Sequence, residues 1–384
     1  MKLNKTFISV FVLASLLFIN CGDTNSENTV DVQNSEYKFD LGKTVNRAFK
    51  GVITDEDNNA LSGVTVKMNG KTAITDANGV FTLSNVSVKE RFAYLTAEKA
   101  GYMKGSRTLM THENLNSLRI MMLKPTIKTI QSGVVSTVEI GKTTVEFDGA
   151  FVTESGITYN GAVKVYMTDM PANDPKVFQK MPGSLLAIDS KGEYKGLHTF
   201  GMVNVELKGS NNEKLQLATG HQAKITMSIS PEQQLYSPNV IPLWFFDETI
   251  GLWKEDGVST KVGDKYVGNV SHFTPWNNHW AFTVASLTVV AKNESDGTTV
   301  NGIRCEIFRP SVVGPEDHWN VPLISLGITG ANGTLTAGVP LNEIMIFRAY
   351  DQYGNMIHQE ELPASNAMSR TVYVIIPLQQ RIKG

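Results

Sequence analysis

"GVTVKMNGKTAITDANGVFTLSNV", running from Gly63 to Val86, alternates apolar and polar side chains in short runs and interrupts them with Asn, Asp and Gly. Alternation with a period of two is the pattern of a strand that turns one face to a core and the other to water. Asp76 is placed to accept backbone amides within its own turn, and Gly79 supplies the positive φ that reverses the chain before Phe81 drops into the core. Strands this short, joined by turns this frequent, predict a small antiparallel β-sandwich.

The same signal returns near the C-terminus. "ITDANGVFTL" aligns with "ITGANGTLTA", and "LSGVTVKM" aligns with "VNGIRCEIF", so the chain contains an internal repeat separated by some 250 residues. In that alignment Cys305 lies at an inward-facing strand position between Ile303 and Ile307, which predicts a buried and inert thiol.

Four elements of the first copy stand in a recognisable order. They are Gly51-Val52-Ile53-Thr54-Asp55, Gly63-Val64-Thr65-Val66, Thr75-Asp76-Ala77-Asn78-Gly79-Val80-Phe81 and Gly101-Tyr102. This set resembles the carboxypeptidase regulatory-like, transthyretin-like family over about residues 46–125, which implies a β-sandwich there. A calcium reading of "DANG", or of the acidic Asp55 to Asn59, lacks the 12-residue ligand pattern that ends in a bidentate Glu. Turn chemistry accounts for both stretches.

Between the two copies, residues 126–283 alternate in the same manner with Gly-containing turns and show no helical stripe. "FDGAFVTESGITYNGAVKVYM", "MPGSLLAIDSKG", "FGMVNVEL", "LWFFDETIGLW" and "VSHFTPWN" together resemble the paired β-sandwich of cartilage intermediate layer protein. Its distant relatives are the sandwich pairs of ankyrin and the netrin receptor. The resemblance implies a fold and does not imply one chemistry. The expected fold class is all-β: tandem antiparallel β-sandwiches at 46–125, 126–283 (a pair) and 284–384.

The N-terminus reads differently. Lys2 and Lys5 precede the apolar "TFISVFVLASLLFI", a basic flank and hydrophobic core that predict a signal peptide over 1–20. The apolar run is shorter than the roughly 20 residues a spanning helix needs. Leu17, four residues before Cys21, resembles a relaxed bacterial lipobox, which implies a diacylglyceryl group on the Cys21 thiol after cleavage; ordinary cleavage without lipid is the alternative. The chain has only 2 Cys, so a lipidated Cys21 leaves Cys305 without a disulfide partner. Residues 21–45 are polar and rich in Asn, Ser and Asp, the composition of a solvated tether. Acyl chains on Cys21 anchor the chain to a membrane, by this reading in the bacterial envelope and at the outer membrane.

Composition narrows the partners. Lys+Arg 35 against Asp+Glu 37 gives a net charge of -2, and no basic, aromatic-interleaved patch occurs, which argues against nucleic acid. An envelope protein or a glycan is the expected partner. No Gly-x-Ser-x-Gly, phosphate-binding loop, dinucleotide fingerprint or His-Glu-x-x-His motif is present, so neither enzyme activity nor a cofactor is expected.

One stretch invites chemistry. "VSHFTPWN", Val270 to Asn277, matches a His-Phe-Ser stretch that cleaves its own backbone in some relatives of the ankyrin-type pair. The resemblance would make Thr274 the attacking hydroxyl, the Phe273 carbonyl its target and His272 the base. Two departures stand against it: Thr replaces Ser, and Pro275 restricts Thr274 to extended geometry. The structural alternative has His272 capping a turn while Phe273 and Trp276 close a sandwich end against Trp244 and Trp253. His272 and His279 lack further ligands close in sequence, so no zinc site is assigned. Trp276, Trp280 and Trp319 form the candidate binding face for a sugar or peptide, with core packing as the alternative.

Overall fold

Gly79 and Gly333 hold equivalent places in the two copies of the repeat. Gly79 and Gly333 both sit at φ +70, and each carbonyl accepts from the central strand of its own sheet: Ile53 N to Gly79 O at 2.9 Å, Ala291 N to Gly333 O at 2.8 Å. The strand and turn before them match as well. Thr75 Oγ1 accepts from Val64 N at 2.9 Å and donates to Leu61 O at 2.6 Å; Thr329 Oγ1 accepts from Ile303 N and donates to Val300 O, both at 3.0 Å. A buried hydroxyl that both donates and accepts satisfies two backbone groups at once, so a threonine recurs at this corner.

One position differs between the copies. Asp76 Oδ1 caps its turn by accepting from Asn78 N and Val80 N. Its aligned counterpart is Gly330, and Asn332 takes over, accepting from Thr334 N at 3.1 Å. The turn keeps its cap while the residue that supplies it moves by two.

The computed structural model describes residues 41–111, 115–308, 323–330, 332–367 and 369–377, all within the unit Lys38–Gly384. Strands take 59% of the described residues and helix 2%, so the fold is all-β. The N-terminal sandwich has one sheet ordered Val80–Lys89, Thr44–Thr54, Leu115–Met121 and a second ordered Lys71–Ile74, Thr65–Met68, Ala93–Glu98, Gly105–Leu109. The C-terminal sheets repeat both orders, with Thr334–Pro340, Trp276–Asn293, Ser369–Ile376 and with Leu323–Ile328, Arg304–Phe308, Met345–Tyr350, Met356–Leu362. In each three-stranded sheet the central strand is antiparallel to the first and parallel to the last. Alternate residues fill the cores: Phe49, Ile53, Val64 and Phe81 in the first, Leu287, Val289, Cys305 and Phe347 in the last. Cys305 is buried, and burial pushes its thiol up to about 12, as its strand position predicts.

The central strands wrap around a core of Val145, Phe147, Val165, Val205, Ile225 and Trp276, among others. A second core, with Trp244, Phe246 and Trp253 from the central strands, is completed by Met121 and Leu123 of the N-terminal sandwich. The N-terminal sandwich therefore closes part of the central region. Polar contacts reinforce the seam: Tyr94 Oη donates to Glu248 O at 3.0 Å and Thr108 Oγ1 to Gly251 O at 2.7 Å. Gly251 is required there, since a Cβ would lie 2.2 Å from the Tyr94 ring.

The C-terminal junction is tighter. Trp276–Asn293 is a single strand of 18 residues. Its first half pairs with Tyr194–Lys208 and Val240–Asp247 of the central region, and from Val284 onward it pairs with Thr334–Pro340 and Ser369–Ile376. The expected boundary at 283/284 thus lies inside a continuous strand with no linker. Among the described residues no helix is long and apolar enough to cross a membrane.

Candidate functional site

The stretch Val270–Asn277 leaves one strand and enters another. Lys265–Val270 ends, the chain bends through Ser271 to Pro275, and Trp276 begins the shared strand. Pro275 has no amide to give a ladder, and it disfavours helical backbone at Thr274, which lies in the bend, so the pairing resumes only after it. Its carbonyl still accepts from Phe246 N at 2.8 Å, which ties the bend to Val240–Asp247.

His272 faces rings. Its imidazole lies 4.8 Å from Phe245, edge-on at 89°, and 5.0 Å from Trp276. Its carbonyl accepts from Trp276 Nε1 at 2.9 Å. Burial holds its pKa below the usual histidine value, with Asp256 opposing. Thr274 Oγ1 is buried and has no hydrogen-bond partner among the described residues, so it is not bonded to His272. A hydroxyl becomes a nucleophile when a base takes its proton within hydrogen-bond reach. Hydroxyl and base are both present, and here they are not paired.

The bond between them is held on one side. Phe273 is 5% exposed and packs on Phe147 with centroids 5.5 Å apart. Gln216, from the strand Lys214–Leu217, brackets its backbone: Phe273 N donates to Oε1 at 2.8 Å and Nε2 donates to Phe273 O at 3.1 Å. A side-chain amide with one donor and one acceptor facing the chain imitates a neighbouring strand. Gln216 carries no signal in the sequence, since it lies 57 residues from its partner.

Two expectations about this cluster are corrected. Trp276 is 0% exposed and belongs to the central core with Phe273, so it presents no ring to a ligand. Trp244 and Trp253 are absent from the clasp, because they point to the opposite core with Phe246. The alternation of the strand explains this: Leu243 and Phe245 serve one face, Trp244 and Phe246 the other. Trp280 is 54% exposed and remains available. Trp319 and Cys21 lie outside the described residues.

His279 belongs to that other face, 5.2 Å from the Trp253 ring, so the strand separates it from His272. In the acidic turn from Asp55 to Asn59, the Asp55 carboxylate is taken up by its own turn. Asp55 Oδ1 accepts from the amides of Asp57 and Asn59, and its Oδ2 from Asn59 Nδ2 at 3.1 Å.

The sequence gives little warning of a buried polar row beside the bend. Asn277, Asn278 and His279 are successive and all 0% exposed. Asn277 Oδ1 accepts from Thr199 Oγ1 at 3.1 Å, while both ring nitrogens of His279 and both side-chain polar atoms of Asn278 lack partners among the described residues. Each such group costs about 1–3 kcal/mol of desolvation. Burial drives the His279 pKa well below the usual value and keeps the ring neutral. The sole hint in the sequence is a run of polar residues between Trp276 and Trp280.

No known family profile matches the chain. Human cartilage intermediate layer protein 2 is 31% identical over 118 residues, 30% of this chain and 10% of that protein; its mouse counterpart is 28% identical over 110 residues, 28% of this chain and 9% of that protein. The match therefore spans about a tenth of the relatives' length. Among solved structures, the major pilin BcpA of Bacillus cereus aligns at 11% identity and a TM-score of 0.18, covering 86% of this chain and 99% of the pilin. The Bacillus anthracis TIE protein aligns at 10% identity and a TM-score of 0.19, covering 86% of this chain and 50% of that one. Neither TM-score reaches the level at which a shared arrangement of domains follows.

Proposed function

We propose that this chain is a non-enzymatic surface protein, lipid-anchored through Cys21, that presents its β-sandwiches to an envelope partner as one stiff unit. The observation that carries the reading is the uninterrupted strand Trp276–Asn293, which serves the central and C-terminal sheets at once. Domains that move independently meet through exposed linkers and modest polar contacts. Here the N-terminal sandwich shares a buried core with the central strands, and the C-terminal sandwich shares a strand. Such an arrangement suits display at a distance from a bilayer, with the residues between Cys21 and Leu41 as the tether, since the first strand already begins at Thr44.

The anchor is tested by fractionation. After expression in a bacterial host, the chain should sediment with membranes and the Cys21→Ala variant should be soluble. Equal distribution of the two would remove the lipid from the account.

Glycan binding is a second reading, and exposed Trp280 supports it. A glycan array probed with the chain and with Trp280→Ala tests it, and absence of any signal would end it.

A further inference from the structure

A cavity of about 660 Å³ lies where the three parts of the chain meet. The N-terminal sandwich contributes Leu109 and Leu118, the central region Phe178 and Leu185, and the C-terminal half Leu335 and Ala337. Its size falls within the range of small-molecule sites, which concentrate at domain interfaces and combine apolar walls with few polar groups.

The charge on its walls is one-sided. Arg91, Arg107, Arg119 and Arg304 all line it, and no Asp, Glu or Lys is among its described lining residues. These are four of the nine arginines in a chain whose net charge is -2, so the concentration does not follow from composition.

Three of the four, Arg304, Arg107 and Arg119, are committed to different degrees. Arg304 pairs with Glu306 and lies over the Tyr350 ring at 3.9 Å, so its charge is answered. Arg107 donates through Nη1 to Phe178 O at 2.7 Å and Gly183 O at 3.3 Å, and through Nη2 to Gln179 O at 2.8 Å. Those carbonyls orient the guanidinium, and among the described residues its charge has no counterion. Burial lowers its pKa to about 10, so it stays protonated at neutral pH. Arg119, on the exposed side of Leu115–Met121, makes no hydrogen bond or ion pair among the described residues.

A buried cation beside an apolar wall is stabilised by an anion that brings its own apolar body. From this geometry we infer that the cavity binds an amphipathic carboxylate of fatty-acid type, its headgroup between Arg107 and Arg119 and its chain along Phe178, Phe282 and Leu335. A peptide of equal volume would bring backbone amides against guanidinium groups, which cannot accept a hydrogen bond. An acyl chain brings none. Nothing in this assignment depends on the anchor or on an envelope partner.

Calorimetry with sodium decanoate below its micelle concentration tests it, using the full chain with Cys21→Ala so that no attached acyl group competes. Decanoate should bind at one site per chain, decanol and butyrate at least tenfold more weakly. Arg119→Glu, on an exposed side chain, should weaken decanoate at least tenfold with an unchanged Tm. Absence of saturable decanoate binding, equal binding of decanol or butyrate, or equal binding by Arg119→Glu would each overturn the assignment.

Discussion

Gln216 holds both backbone polar groups of Phe273, accepting from its amide at 2.8 Å and donating to its carbonyl at 3.1 Å. The bracket joins the bend before the shared strand to Lys214–Leu217, a strand that also pairs with Phe151–Thr153. Gln216→Leu leaves both groups unpaired beside a side chain that is 5% exposed. The expected loss is on the order of 2 kcal/mol. Urea unfolding should show a lower midpoint with an unchanged slope, and an unchanged midpoint would show that the bracket contributes nothing.

Gly79 and Gly333 predict a matched pair of defects. A Cβ at Gly79 would lie 2.4 Å from Ile53 O, and one at Gly333 would lie 2.5 Å from Thr299 Cβ and 2.9 Å from Ala291 O. Both are at positive φ, which alone costs a non-glycine residue about 1–3 kcal/mol. Gly79→Ala and Gly333→Ala should each destabilise by at least that amount in chemical denaturation. Gly70→Ala is the control, since it has positive φ and open space around its Cβ, and its loss should be smaller.

His279 predicts acid sensitivity. Burial depresses its folded pKa, so the unfolded chain binds the proton more readily. Its contribution is present above the unfolded value near 6.5 and is lost as pH falls below it. His272 is depressed in the same direction, whereas burial raises the carboxyls of Glu248 and Asp169, which gain stability on protonation and so act oppositely. The Tm should fall from pH 6.5 towards 5, and His279→Asn should flatten that slope. An identical slope in the variant would assign the acid loss elsewhere.

Alternation and turn residues made the all-β character and the repeat legible. "ITDANG" and "ITGANG" occupy the same corner in two sandwiches, with the same threonine hydrogen bonds and the same glycine φ. Local patterns encode local structure, and here they encode it well. What alternation does not tell is which of two cores a strand face meets. Trp244 and Trp276 were grouped by proximity and aromatic character, yet they serve different cores. The merging of central and C-terminal sheets along one strand was equally hidden, because Trp276 to Asn293 carries buried polar residues where a boundary would look polar too. Gln216, Arg107 and Arg119 act through partners distant in sequence, and only the tertiary fold joins them.

The intact mass of the chain extracted from membranes after bacterial expression tests the account most directly. It should be a single species beginning at Cys21, heavier than residues 21–384 by the mass of its acyl chains, with the Phe273–Thr274 bond unbroken. An unacylated mass, or two fragments meeting at Phe273 and Thr274, would contradict it.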